Sequence, residues 1–215
     1  MGQPIHFTYP RVEDYRLMIL KAGQGSWMWK RDLSRFFMQI PLDPVEYNKV
    51  GVIWRGLFFF FVCLAFGLRH SGLNGQRLTD AVSLILRQFG LQTDEEMIYQ
   101  VCNYVVDLGG VEPTKERAQA AYDTLAWLLE DLGLQESKKK AVSPTTQITY
   151  LGVQFNSLTM QMSVPPEKLT EVKTEICRWV RKSTISKKEL QSLLGKLFWV
   201  ARVVKYARAF MGRLL

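Results

Sequence analysis

An α+β fold is what this sequence predicts, and three observations predict it. β-like apolar runs interleave with helical stretches without a regular strand–helix–strand period. A strong amphipathic pattern over Pro113–Leu132, ended by Gly133, marks a helix between β-like segments. The 215 residues, 47% hydrophobic and 22% charged, are enough for one large domain or two small ones with a buried core, and exclude a disordered or collagen-like chain.

Taken in order, Phe7–Asp14 begins extended and turns helical through Tyr15–Ala22, and Gly23-Gln24-Gly25 breaks the helix. Trp27–Ile40 opens as a strand and closes at Pro41 and Pro44. Val50–Phe61 is aromatic and β-like, with Arg55-Gly56 as a hairpin turn. A loop through Gly67–Gly75 leads to a helix at about Gln76–Gln88. Met97–Val106 and the run from Leu108 onward are β-like and flank a polar tip at Asp107. Ile148–Phe155 and Met160–Val164 read as a hairpin. After Pro165-Pro166 the chain is helical to the end, with Ser186 and Glu189 as a capping box.

Several function classes drop out. No apolar run reaches the roughly 18 residues of a membrane span; the longest, Leu57–Phe66, stops at Gly67. The N-terminus carries no secretory pattern, and His6 fails the myristoylation motif. Cys63, Cys102 and Cys177 form neither a disulfide framework nor a zinc pattern, and Cys63 and Cys102 read as inert core thiols. His6 and His70 lack a ligand set and receive no role. The expectation is an intracellular chain, cytoplasmic or nuclear, without membrane contact.

Charge is unevenly placed. The net charge of +8 lies wholly in residues 161–215, which hold twelve Lys/Arg against four Asp/Glu. Such a segment is either a solvated helical face or a site for a phosphate-bearing partner, since Lys and Arg release counterions from a polyanion. Its cations Lys173, Arg178, Arg181, Lys182, Lys187, Lys188, Lys196, Arg202, Lys205 and Arg208 are interleaved with aromatics, as suits backbone tracking. Leu190, Leu193, Leu194, Leu197 and Phe198 fall at helical spacing and read as core, with Trp179 and Trp199 packed against it.

Two carboxylates sit in apolar surroundings: Asp32 after Lys30-Arg31, and Asp107 after Tyr104-Val105-Val106. Burial of a carboxylate is costly unless it is paired or binds a metal. Asp32 could pair with Lys30, Arg31 or Arg35 while Asp107 serves as a turn residue. Alternatively the two meet through tertiary structure and hold Mg²⁺, which takes oxygen ligands.

Beyond these residues the order of motifs carries a resemblance. Phe7–Asp14 is followed by Lys30-Arg31-Asp32-Leu33 with Phe37 and Gln39-Ile40-Pro41-Leu42. Then come Leu64-Ala65-Phe66-Gly67-Leu68-Arg69 with Ser71, Tyr104-Val105-Val106-Asp107, Gly133–Lys140 and Tyr150-Leu151-Gly152-Val153. Together they resemble the fingers, palm and thumb start of a reverse transcriptase, closest to those of DIRS-like retrotransposons. The resemblance implies a right-hand polymerase fold, with palm sheet packed on helices. It divides the chain into 1–28 as fingers remnant and entry, 29–160 as palm with a fingers insertion at about 42–63, and 161–215 as a truncated basic helical thumb.

The resemblance also implies chemistry. Polymerisation is in-line phosphoryl transfer supported by two metals, Mg²⁺ or Mn²⁺. Asp32 and Asp107 become metal ligands and catalytic residues, and the Leu33 carbonyl an auxiliary ligand. Phe37 becomes the aromatic that blocks a 2′-hydroxyl, or else plain core. Phe66 and Gly67 contact the nucleotide, Gly67 by close backbone approach. Lys140 assists the leaving group, or belongs to a solvated run with Lys138 and Lys139. Arg69, Tyr104, Leu151, Gly152 and the thumb cations Lys173, Arg178, Arg181, Lys182, Lys187 and Lys188 contact nucleic acid. The implied partners are an RNA or DNA template–primer and, if the chain is active, a deoxynucleoside triphosphate.

The pattern is broken at its centre. Val106 stands where the family has the first aspartate of Tyr-x-Asp-Asp, and valine cannot ligate a metal. Phe36, Ala65, Gly72 and Gly75 depart as well, and the upstream triphosphate-binding fingers segment, ribonuclease H and integrase regions are expected to be missing. Two classes follow: an RNA-directed DNA polymerase domain that is catalytically impaired, or a domesticated, non-catalytic pseudoenzyme that binds nucleic acid or a partner. Both need Asp32 and Asp107 to face each other across a palm-like sheet.

Overall fold

The structure is a computed structural model that describes residues 9–68, 70–90, 98–182, 184–204 and 206–212. It divides into two compact units, Met1–Thr146 and Gln147–Leu215. The fold is α+β with antiparallel sheets, as the interleaved pattern predicts.

In the first unit, helix α1 (Val12–Ala22) precedes strand β1 (Trp27–Asp32). After a 3-10 turn at Phe36–Gln39 comes a hairpin of β2 (Gly51–Trp54) and β3 (Leu57–Phe60). Helix α2 (Ser71–Gly90) leads to β4 (Val101–Tyr104), β5 (Asp107–Glu112), helix α3 (Lys115–Asp131) and β6 (Val142–Thr145). The sheet order is β4-β5-β1-β6, antiparallel throughout. Helices α2 and α3 cover one face, where Trp29, Leu33, Val82, Leu86, Leu108, Ala121, Leu125 and Leu129 form one core cluster. Period-2 alternation sends Trp29, Arg31 and Leu33 to that face and Met28, Lys30 and Asp32 to the other. Helix α1 lies against β5, with the buried Tyr15 hydroxyl donating to the Gly110 carbonyl at 3.2 Å.

Gly110 is required by packing. It sits opposite Trp29 in the β1–β5 register, and a Cβ there would fall inside the fully buried indole. Arg31, also buried, stacks its guanidinium 3.6 Å from the Tyr122 ring centroid, donates to the Tyr122 carbonyl at 3.0 Å and ion-pairs with Glu136. The Arg55-Gly56 hairpin turn forms as expected, both residues at positive φ (50° and 75°). The β2–β3 ribbon it closes leaves Ile53, Trp54, Leu57, Phe58 and Phe60 exposed.

Four local expectations are corrected. Helix α2 starts at Ser71 rather than near Gln76, because Gly72 and Gly75 are contact points: a Cβ at Gly75 would lie 2.8 Å from Phe36, and one at Gly72 2.7 Å from the Tyr9 hydroxyl. Strand β6 was hidden by Pro144 and a polar surround, and it survives as an edge strand, where a missing N–H costs least. Cys63 is not a core thiol; it is half-exposed, its Sγ 3.3 Å from Met38 Sδ, while Cys102 is buried as expected. The C-terminal helix is interrupted.

In the second unit β7 (Gln147–Tyr150), β8 (Val153–Asn156) and β9 (Gln161–Ser163) form a three-stranded meander rather than a single hairpin. Helices α4 (Pro166–Val180) and α5 (Lys187–Val200) follow, with Ser186 and Glu189 making the expected reciprocal capping box. Leu193 is buried, Leu190, Leu194, Leu197, Trp179 and Trp199 are half-buried, and Phe198 is exposed rather than core.

Replacing Gly110 by Ala is expected to destabilise the chain by about 1–3 kcal/mol, the ordinary cost of overpacking a filled core. A urea midpoint lowered at unchanged slope is the expected result; an unchanged midpoint contradicts the Trp29–Gly110 packing.

Candidate functional site

Strands β1 and β5 end together, and their register pairs Asp32 directly with Asp107. The next pair, Leu33 with Val106, is hydrogen-bonded, Leu33 N–H donating to the Val106 carbonyl at 3.1 Å. Alternation then makes Asp32 and Asp107 a non-hydrogen-bonded pair, the kind whose side chains approach most closely and share one face. That face is the one away from α2 and α3. Lys30, two residues before Asp32, lies on it too, opposite Gly109.

The hairpin tip is one residue earlier than expected. Val105-Val106 form the two-residue turn and Asp107 is already the first residue of β5, so it is not a turn residue. Val105 has φ +52°, a region that β-branched residues avoid. A polar clamp holds it there: its N–H donates to Gln76 Oε1 at 2.8 Å, while Gln76 Nε2 donates to the Asn103 carbonyl at 2.9 Å and Asp80 Oδ1 at 2.8 Å. Asn103 Nδ2 completes the clamp on Asp80 at 2.7 Å.

Asp32 is 3% exposed. Of the neighbours that the sequence suggests for it, Arg31 points to the opposite face and pairs with Glu136. Lys140 Nζ instead donates to Asp32 Oδ1 at 2.8 Å and Oδ2 at 3.3 Å, from 108 residues away. A strap after α3 delivers it. The Gln39 side chain grips the Gln135 backbone at both N–H (2.7 Å) and carbonyl (3.0 Å). Glu136 bridges Leu33, Ser137 N–H donates to the Asp32 carbonyl at 2.6 Å, and a turn from Ser137 brings Lys140 back over the carboxylate. Gln39 and Glu136 were missed as positioning residues, since neither shows periodicity or a motif that points across the sheet.

Electrostatics follow the geometry. Burial first, then the neighbouring Asp32 charge, raises the Asp107 carboxyl, with Lys30 and Lys140 pulling it down. The hydrogen bond and charge of Asp32 raise the Lys140 ammonium, and Asp107 adds to this.

The remaining sequence-predicted residues fall into separate groups. Phe37 is half-buried, its ring edge-on to Phe66 with centroids 5.3 Å apart, and packs on Gly75. Phe66 is 72% exposed, and Gly67 beside it has φ +87°. Tyr104 is exposed and its ring meets Tyr9 at 5.3 Å. Arg69 lies outside the described residues, as do Lys205 and the side chain of Arg208. In the second unit Leu151 and Gly152 form a two-residue turn, both at positive φ, and a Cβ on Gly152 would lie 2.9 Å from the Trp199 indole. Lys173, Arg178, Arg181, Lys187 and Lys188 are exposed. Lys182 and Lys196 are ion-paired, the former with Glu189, the latter with Glu171 (3.0 Å) and Glu175.

A four-stranded antiparallel sheet on two helices, two aspartates paired at the end of its central strands and a helical basic segment are now in place. No family model matches the chain. It is 30% identical, over an aligned length of 184, to the Gag-Pro-Pol polyprotein of bovine leukemia virus (isolate Australian), a match taking in 80% of this chain and 11% of that polyprotein. A foamy viral protease–reverse transcriptase solved in complex with double-stranded DNA superposes over 98% of this chain with a TM-score of 0.70 at 18% identity. The same viral enzyme solved with an RNA/DNA hybrid gives 0.68 over 97% of the chain, again at 18% identity.

The chain shares the fold of these reverse-transcriptase structures.

The domain spans 40% and 26% of those two solved chains. The resemblance implies two divalent metals at the aspartates, and the donor set does not fit them. Val106 is apolar and packs against the core cluster, Lys140 already holds both oxygens of Asp32, and among the described residues no group of three His, Cys, Asp or Glu is placed to hold a metal ion.

Asp32→Asn is expected to lower the Asp107 pKa, by removing a like charge, and to lower that of Lys140, by removing its partner. Carboxyl-detected NMR titration reads the first; an unmoved Asp107 titration contradicts the pairing. The sign for stability follows. Asp107 is raised above its ordinary 3.8 in the folded chain, so it favours folding at low pH, and that contribution is lost as pH rises from the ordinary value through the raised one. Asp32→Asn narrows that window.

Proposed function

We propose that this chain is the reverse-transcriptase-like domain of a retroelement, of DIRS-like or retroviral kinship, which binds template–primer nucleic acid and is impaired in polymerisation. The observation that carries the reading is the paired Asp32 and Asp107 beside Val106. Phosphoryl transfer of this class depends on metal ions that neutralise charge on the attacking and leaving oxygens. With two carboxylates balanced by the ammoniums of Lys30 and Lys140, the sheet end offers no surplus negative charge to gather divalent cations. Three free cysteines suit a reducing, intracellular setting.

What the chain retains is the means to hold a duplex. Lys173, Arg178, Arg181, Lys187 and Lys188 offer exposed cations for phosphates, and Leu151-Gly152 presents a tight turn backed by Trp199. A-form RNA·DNA is gripped by shape and backbone, so binding carries no sequence preference. Phe37 and Phe66 form an aromatic ledge for a nucleotide sugar and base, the remnant of a selection gate. The alternative, a domesticated, non-catalytic module that binds nucleic acid or a partner, draws on the same neutral sheet end.

Binding to an RNA/DNA duplex is expected to weaken with salt at a log–log slope of about −4, from about five phosphate contacts. Alanine at Arg178, Arg181, Lys187 and Lys188 flattens that slope by about one unit each; a flat response in the native chain contradicts the reading. Primer extension on an RNA template with Mg²⁺ or Mn²⁺ is expected to be absent in the native chain and to appear in Val106→Asp. Robust synthesis by the native chain, abolished in Asp32→Ala, overturns the impairment.

A further inference from the structure

The charges on the face of the sheet away from α2 and α3 alternate in sign. Lys30 and Asp32 come from β1, Asp107 from β5 and Lys140 from the strap, two ammoniums against two carboxylates. Lys140 is placed as a ligand-holder's cargo would be: its Nζ sits 2.8 and 3.3 Å from the two oxygens of one carboxylate, the approach of a cation shared between both. The two ends of this contact differ in setting. The Asp32 side chain is 4% exposed, whereas that of Lys140 is 70% exposed and reaches in from solvent. Removing the lysine therefore opens no core cavity but strands a buried carboxylate, which is the costly half of breaking such a pair.

We propose that Lys140 is a resident counter-cation, which occupies the Asp32–Asp107 face in place of a divalent metal and keeps metal from it. The proposal rests on the reading of these aspartates as the remnant of a metal centre and adds a cause beyond the lost third ligand. The ammoniums and carboxylates on this face balance, and a divalent ion would meet the like charge of Lys140 within contact distance. The strap makes the arrangement durable, since Ser137 is bonded to the Asp32 carbonyl and Lys140 N–H to the Ser137 carbonyl at 2.9 Å.

The test uses Mn²⁺ alone as probe, with no nucleic acid, so that its outcome is independent of binding and of extension by Val106→Asp. Native chain and Lys140→Arg are expected to show no Mn²⁺ bound by electron paramagnetic resonance and no rise in melting temperature with Mn²⁺. Lys140→Ala and Lys140→Gln are expected to bind Mn²⁺ at least tenfold more tightly, with a melting temperature that Mn²⁺ raises. The double variant Asp32→Asn with Lys140→Gln loses both effects, which ties the ion to this face. Lys140→Gln keeps a hydrogen-bond donor to Asp32, so the test stands even where Lys140→Ala fails to fold. Equal Mn²⁺ binding by native chain and Lys140→Gln, or none by either, overturns the proposal.

Discussion

One strand register governs the candidate site: β1 on β5, with Asp32 opposite Asp107. Because side chains alternate with a period of two, a shift of one residue would turn Asp107 into the helix-covered core and bring Leu108 out. Packing fixes the register on the covered face. Trp29 fits only over Gly110, and Leu108 belongs to the same buried cluster, so the apolar side of the sheet decides where the carboxylates fall on the other side. The acidic pair is thus positioned by residues that never touch it.

A second constraint acts from the opposite direction. Arg31 reaches through to Tyr122 and Glu136 on the helix side while Asp32, the next residue, faces out to Lys140. Adjacent residues of one strand therefore both grip the segment after α3, one from each face. This ties the strap to the sheet at two points and gives Lys140 a defined position at the end of an exposed side chain. Buried ion pairs of this kind are poor sources of net stability but fix geometry, and geometry is what a site at the end of two strands needs.

Much of the fold was legible in the residues themselves. Helix α3 showed its stripe and its glycine stop, the Arg55-Gly56 turn its positive-φ chemistry, and Ser186 with Glu189 their cap. What failed had local causes. Pro144 disguised an edge strand, and the glycines at 72 and 75 read as loop although they serve close packing in a helix. The hairpin tip was displaced by one residue because Val105-Val106 carries no turn signal; the turn is imposed by Gln76 from α2. The candidate site was legible through motif order, which singled out Asp32, Asp107 and Lys140. Their mutual contact was not, because a partner 108 residues away leaves no trace in spacing. Of the neighbours suggested for Asp32 by proximity in sequence, strand alternation excludes Arg31, which it turns to the helix side.

The central claim is therefore geometric: two carboxylates at the ends of paired strands share one face, beside an apolar turn. The most direct measurement is the cross-strand nuclear Overhauser effect between the Hα protons of residues 32 and 107 in the folded chain, which lie closest in a non-hydrogen-bonded antiparallel pair. A strong contact between Asp32 and Asp107 is the result this account predicts. A strong contact of Asp32 with Leu108 or Val106 in its place would contradict it, since either register turns one carboxylate away from the other.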